Sequence, residues 1–285
     1  MTSPIVRRLL IDLETELPRH WCAGDALLTA FFNALSMSFP VGEQFFIDAV
    51  QAGFKLLPAP QQDKFRAEVQ GFVGQEATHR RIHGLFNALL ERQGLVNQWG
   101  PAAAQRLKAF EGVDARHPLA LTAANEHFTA ILAHWMLQNR DLFGDTQARI
   151  QTMWLWHSSE EMEHRSTAFD ILAALGGSHE WRVRWMRRVT ILFWADALQQ
   201  TLRNLRRDGS LWKWRTWKSA AVHLLGRHGL VRQTYGPWRE YFREDFHPGQ
   251  MKSALHEDWL RNNADAYVRV GTCEPLRLNR MPRAC

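Results

Sequence analysis

The chain has 285 residues, 46% hydrophobic and 22% charged, with a formal net charge of +6. That length supports one large or two small domains, and the apolar fraction is enough for a large core. The three cysteines, Cys22, Cys273 and Cys285, lie far apart without a CxxC spacing. They exclude a disulfide framework or a zinc ribbon. The N-terminus has no long apolar run to act as a secretory signal, so a reducing cytoplasm is the expected compartment.

Strictly alternating runs are scarce and apolar residues recur at three and four, which predicts an all-α chain. Residues 1–24 read as an extended arm punctuated by Pro18 and Gly24. Asp25 is a suitable N-cap for a helix from Ala26 to Met37. Pro40 is expected to kink or restart it, with a second part from Val41 to Phe54 carrying Glu43 among phenylalanines. Pro58 and Pro60 end that element. Asp63 caps the next helix, Lys64 to Gln93, stopped by Gly94, which contains Gln75-Glu76-Ala-Thr-His79 and then His83. A short helix is expected over Ala102 to Phe110. Pro118 opens a long helix over Leu119 to Gln138 with Glu126 and His127. Another runs from Thr146 to Leu175, stopped by Gly176-Gly177.

The last of these helices carries Trp154-Leu-Trp-His157-Ser-Ser-Glu160-Glu161-Met-Glu163-His164. His157, Glu161 and His164 stand at i, i+4 and i+7 and share one face. Burying such a stripe requires compensation, and a metal ion is the usual one. Across the four long helices the polar residues read Glu43; Glu76 with His79; Glu126; and Glu161 with His164. A lone Glu-x-x-His arises by chance. Two of them, alternating with isolated glutamates, match the ligand set of a four-helix bundle with two metals in its core. Four carboxylates neutralise two divalent cations, which removes the cost of burying each one. Carboxylate and imidazole suit iron or manganese, with zinc as an alternative.

Over about residues 25 to 176 this pattern resembles the ferritin-like di-iron carboxylate proteins. Phe39-Pro-Val-Gly-Glu43, Gly74-Gln-Glu76-Ala-Thr-His79, Asn125-Glu126-His127, Trp156-His157 through His164 and Asp245-Phe-His-Pro248 resemble more narrowly a bacterial family described as predicted metal-dependent hydrolases. The His157/Glu161/His164 spacing is similar to that of di-iron arylamine N-oxygenases, where the extra histidine is a third imidazole ligand. The resemblances imply a metal set of Glu43, Glu76, His79, Glu126, His157, Glu161 and His164. Glu76 and Glu161 would bridge, Glu43 and Glu126 would be terminal, and His157 would cap one metal. The expected fold is a ferritin-like four-helix bundle over 25–178 with a helical C-terminal extension over 179–285.

The expected activity is a non-haem di-iron oxygenase or oxidoreductase acting on a small organic molecule, with dioxygen and an electron donor as partners. A di-metal hydrolase that activates water is the alternative, and a non-catalytic metal-binding or membrane-associated bundle is the second alternative. Glu160 competes with Glu161 as a ligand. His83 reads as a core or surface histidine rather than an outer ligand, Glu163 and His127 as outer-face or supporting groups, and Trp135, Trp154 and Trp156 as core.

From Trp181 to Lys252 there are 15 Lys/Arg against 5 Asp/Glu, and seven of the 13 tryptophans lie between Trp181 and Trp238. The apolar run Val189 to Ala195, broken by Asp196, is too short to span a bilayer. The segment reads as a basic lid over the bundle, or as a peripheral contact with the inner face of the membrane through 181–218. No recognisable nucleic-acid module interleaves its aromatics, so nucleic acid is not an expected partner. A homodimer is compatible with the sequence.

Overall fold

The computed structural model describes residues 3–270, so Cys273 and Cys285 lie outside the described residues. A short strand, β1 (Arg7–Leu9), precedes helices α1 (Ala26–Leu56), α2 (Ala59–Arg92), α3 (Trp99–Leu107), α4 (Arg116–Gln138) and α5 (Ala148–His164). Then follow α6 (Thr167–Ala174), α7 (His179–Asp208), α8 (Trp214–Ala220), α9 (Leu230–Glu240), α10 (Leu255–Asn262) and β2 (Tyr267–Arg269). The fold is all-α apart from the β1–β2 pair, which is antiparallel with Arg7 opposite Arg269. Helices α1, α2, α4 and α5 form the bundle: α1 packs on α2 and α4, and α5 packs on α4 and α2.

Two apolar clusters fill this bundle. One contains Phe32, Phe86, Ala130, Trp154 and Met162. The other contains Phe46, Phe72, Ala123 and Ala168. On α1, α2 and α4 the polar residues fall where one cluster gives way to the other, whereas on α5 His157 and Glu161 lie between Trp156 and Met162 of the first cluster and only His164 lies at the change. Glu43 precedes Phe46, Glu76 and His79 lie between Phe72 and Ile82, Glu126 lies between Ala123 and Ala130, and His164 lies between Met162 and Ala168. The apolar ends hold the bundle together, at roughly 1.5–3 kcal/mol per fully buried large side chain. They leave one polar layer between them.

Three boundaries differ from the sequence expectation. Helix α1 begins after Asp25, whose side chain accepts from the Leu28 N–H, but it runs straight through Pro40. Proline removes the N–H that Ser36 C=O would have received. Asn87 Nδ2 supplies a substitute donor to that carbonyl at 2.9 Å, and Asn97 Nδ2 donates to the next carbonyl, Met37 C=O, at 2.8 Å. The second boundary is the start of α2 at Ala59, where Pro58 and Pro60 open the helix rather than only ending its predecessor, and Asp63 lies inside it. Third, the helix expected over 146–175 breaks immediately after His164 into α5 and α6. No glycine or proline marks this break. Arg165 points its guanidinium at the carbonyls of Met162, Pro248 and Met251, so contacts from the C-terminal segment hold it.

The N-terminal residues are bound to the bundle. A Cβ at Gly71 would collide with the backbone of Pro4, and one at Gly74 with the side chain of Val6. The two glycines, one turn apart on α2, let the strand lie directly on the helix. Arg7 and Leu9 face inward and Arg8 outward. Helix α7 crosses α1 and α4, while α9 and α10 cover other parts of α4 and α5.

Candidate metal centre

Seven side chains, Glu43, Glu76, His79, Glu126, His157, Glu161 and His164, are all buried, none more than 4% exposed. One oxygen or nitrogen from each of Glu76, His79, Glu161 and His164 lies within 4.8 Å of the others, and the same holds for Glu43, His79 and His157. Glu126 is outside both groups. It joins them through His164, whose Nδ1 stands 2.9 Å from Glu126 Oε2. Close approaches fill the interior: His164 Nε2 to Glu76 Oε1 at 3.4 Å, His79 Nδ1 to Glu161 Oε1 at 3.4 Å, and His157 Nε2 to Glu161 Oε1 at 2.8 Å. The His79 and His157 rings stack with centroids 4.2 Å apart.

A second set of residues orients these donors. His79 Nε2 is 3.0 Å from Glu160 Oε2, which turns Nδ1 toward the centre. Glu160 accepts in turn from Arg7 Nη1 at 3.1 Å. The same guanidinium forks onto Glu163 at 2.8 and 2.9 Å, and Gln75 Nε2 donates to Glu163 at 2.6 Å. His157 is held from behind by His83, Nε2 to Nδ1 at 2.6 Å, and His83 by Ser36 Oγ at 2.8 Å. The hydroxyl of Ser36 also donates to Asn87 Oδ1 at 2.8 Å. Thus the residues that accommodate Pro40 also carry His83 and, through it, His157. His127 turns away from the centre, with Nε2 3.0 Å from Pro237 C=O.

The electrostatics are those of a site with unbalanced carboxylates. Burial pushes Glu43 and Glu76 well above the carboxylate range, and neighbouring glutamates push Glu76 further. Burial also raises Glu126 to about 7, against the pull of His164. For Glu161 burial acts upward, but His164 and the hydrogen bond from His157 outweigh it and hold the group low. Burial opposes charge on His79, yet the hydrogen bond to Glu160 and the nearby Glu161 carboxylate lift it to about 10. His157 is pushed down to about 4 by burial and by His79. Such opposed shifts in one buried layer mark groups arranged for something other than each other.

The donor atoms test whether a metal fits. Glu43 Oε1 and Oε2, Glu76 Oε1 and Oε2, His79 Nδ1, Glu126 Oε1, Glu161 Oε2 and His164 Nε2 are buried and lack a hydrogen-bond partner. Native interiors leave only a few such atoms per 100 residues, scattered rather than gathered. Eight around one locus, all carboxylate or imidazole, form a set that metal ions would satisfy.

Glu160, Arg7, Ser36 and Asn87 were not identifiable as supports from the sequence. Arg7 falls in the stretch expected to be an extended arm, and Glu160 reads as a rival ligand to Glu161. The burial of Glu160 comes from the structure, since Glu160, Glu161 and Glu163 in a row also read as a solvated face.

The family model described as "predicted metal-dependent hydrolase" matches residues 5–252. The chain belongs to that family. No curated protein and no solved structure matches it. The metal dependence in the family description agrees with a buried Glu/His cluster able to hold metal ions.

Proposed function

We propose that this family member hydrolyses a small organic substrate at a dinuclear centre built from Glu43, Glu76, His79, Glu126, His157, Glu161 and His164. The convergence of eight partnerless buried donor atoms on one layer of the bundle carries this reading. In this assignment Glu76 and Glu161 would serve both cations, Glu43 and Glu126 one each, His79 and His164 one each, and His157 would add a third imidazole beside Glu43 and His79. Two divalent cations held there would supply an acidified water for attack on an acyl or phosphoryl group, and iron would supply redox chemistry with dioxygen.

The protein's own groups prepare that site. Glu160 fixes the ring of His79 and His83 fixes the ring of His157, so one nitrogen of each faces inward. Such supports set ligand basicity and orientation. Arg7 balances the charge of Glu160, which is fully buried. Phe72 meets His164 edge-on and Trp156 meets His79 edge-on, both with centroids 5.0 Å apart, and these rings keep bulk water out.

A second reading is favoured by the donor set itself. One Glu from each of two helices and a Glu-x-x-His from each of the other two is the set used by di-iron carboxylate proteins. It supports a di-iron oxidoreductase that draws on dioxygen and an electron donor. The deciding experiment assays a panel of chromogenic esters, amides and phosphoesters with the zinc-, manganese- and iron-loaded protein under argon. Metal-dependent turnover without dioxygen or reductant, abolished by chelation, supports hydrolysis. Inert protein under argon that consumes dioxygen when iron-loaded and reduced would establish the second reading instead. Bound metal without either reactivity would leave a non-catalytic metal bundle.

A further inference from the structure

A cavity of about 490 Å³ opens between α1, α3, α4 and α7. Glu43, 2% exposed, is the most buried of the residues that line it. Its walls are largely apolar and include Phe45, Phe46, Phe110, Leu121 and Val189. Cavities of this size and character take small organic ligands. At the outer end stand Arg106, Asp196 and Arg188. Arg106 and Asp196 form an ion pair with each other. Arg188 lies over the Trp185 ring at 5.0 Å, and among the described residues no carboxylate pairs with it. The mouth therefore offers one uncompensated guanidinium beside an aromatic face.

Gly42 is the second observation. It lines the cavity one residue before Glu43, in the interior of α1. Glycine there weakens a helix relative to alanine. Packing does not require it, because an added Cβ would meet only the Phe46 ring, at an ordinary 3.8 Å. What the missing side chain does provide is room next to Glu43.

We propose that this cavity is the substrate site and that it takes an amphiphile with a slender apolar body and one anionic head. The body fills the space beside Gly42, the head rests on Arg188 at the mouth, and the reacting bond lies next to Glu43. This substrate class rests on the reading of the Glu/His cluster as catalytic. The cavity's walls select for an apolar body, and the single free cation at its mouth selects for a single negative charge.

Isothermal titration of the full chain, zinc-loaded and as isolated, with decanoate, decanol and decyltrimethylammonium tests the inference. Decanoate is expected to bind about tenfold more tightly than decanol, and the ammonium to bind weakest. Arg188→Gln should level decanoate with decanol. Gly42→Leu should remove binding of both, and Val113→Trp, filling the same cavity from the α3–α4 loop, should repeat the effect if Gly42→Leu disturbs the helix. Decanoate binding unchanged in both filled variants, or unchanged in Arg188→Gln, would overturn the proposal. Metal content measured on the same samples separates the two claims. Amphiphile binding by a chain that holds no metal would keep the cavity and remove the catalytic reading. Bound metal with no amphiphile binding would do the reverse.

Discussion

Replacing Arg7 with methionine is expected to damage both the fold and the metal centre, although Arg7 pairs with Glu160 and Glu163 rather than with a proposed ligand. Arg7 is 4% exposed and Glu160 fully buried, so the substitution strips Glu160 of its guanidinium partner and leaves it His79 alone. Breaking a buried pair in this way costs about 3–5 kcal/mol. The lower end applies, because Glu163, the other partner, is 20% exposed and can rehydrate. A loss of about 3 kcal/mol lowers the urea midpoint by about 1 M for an m-value of about 3 kcal/mol/M. Because Glu160 holds His79, metal affinity should fall by about 10- to 100-fold. Urea unfolding of the chelated protein reads the first effect, and competition with a chromogenic chelator reads the second. The neighbouring Arg8 faces outward, and Arg8→Met should change stability by no more than about 0.5 kcal/mol. Arg7→Met combined with Glu160→Gln should recover part of the stability, since it removes the stranded charge. An Arg7→Met protein indistinguishable from Arg8→Met in both assays would refute the reasoning.

Three further outcomes follow from the same geometry. In the chelated protein His79 holds its proton to about pH 10, against a reference value of 6.5, because its contacts with Glu160 and Glu161 outweigh burial. Its stabilising contribution is complete below pH 6.5 and is lost as pH rises toward 10. Thermal melts of metal-free protein should therefore fall between pH 7.5 and 9.5, and a flat or rising melting temperature would contradict the His79–Glu160 arrangement. Removing His157 leaves Glu161 Oε1 without its 2.8 Å contact and takes one donor from the group with Glu43 and His79. His157→Ala is expected to keep both cobalt ions but shift their visible spectrum, and an unchanged spectrum would exclude His157 as a ligand. Trp212, Trp214 and Trp217 are 87%, 76% and 48% exposed and alternate with Lys213, Arg215 and Lys218. No helix among the described residues is long and apolar enough to cross a membrane. These exposed rings suit an anionic membrane surface instead. Sedimentation with phosphatidylserine vesicles should occur at low salt and decline with added salt; no sedimentation at low salt would reject the contact.

The bundle was legible because its signals are local. Apolar residues at three and four, the Asp25 cap and the spacing of Glu and Glu-x-x-His all act within a few turns of one helix. The helix through Pro40 was not legible, because its cost is met by Asn87 and Asn97, which come from α2 and the segment after it. The break after His164 depends on Pro248 and Met251, more than 80 residues later in the chain. Arg7 carried no buried signature, since the glycines that let its strand approach are on α2. The basic tail resists a single description: α7 lies on α1 and α4, whereas the tryptophans around α8 face outward. The sequence reading put di-iron oxygenation first. The family description names hydrolysis and metal dependence, and the Glu/His cluster supports the metal dependence.

The most direct measurement is metal content per chain, by mass spectrometry of protein expressed in media supplemented in turn with iron, manganese and zinc. The account predicts about two ions per chain with at least one of these metals. It also predicts loss of both in Glu76→Ala/Glu161→Ala, with the helical spectrum retained. Absence of stoichiometric metal in the wild type under every condition, or full stoichiometry in the double variant, would contradict it.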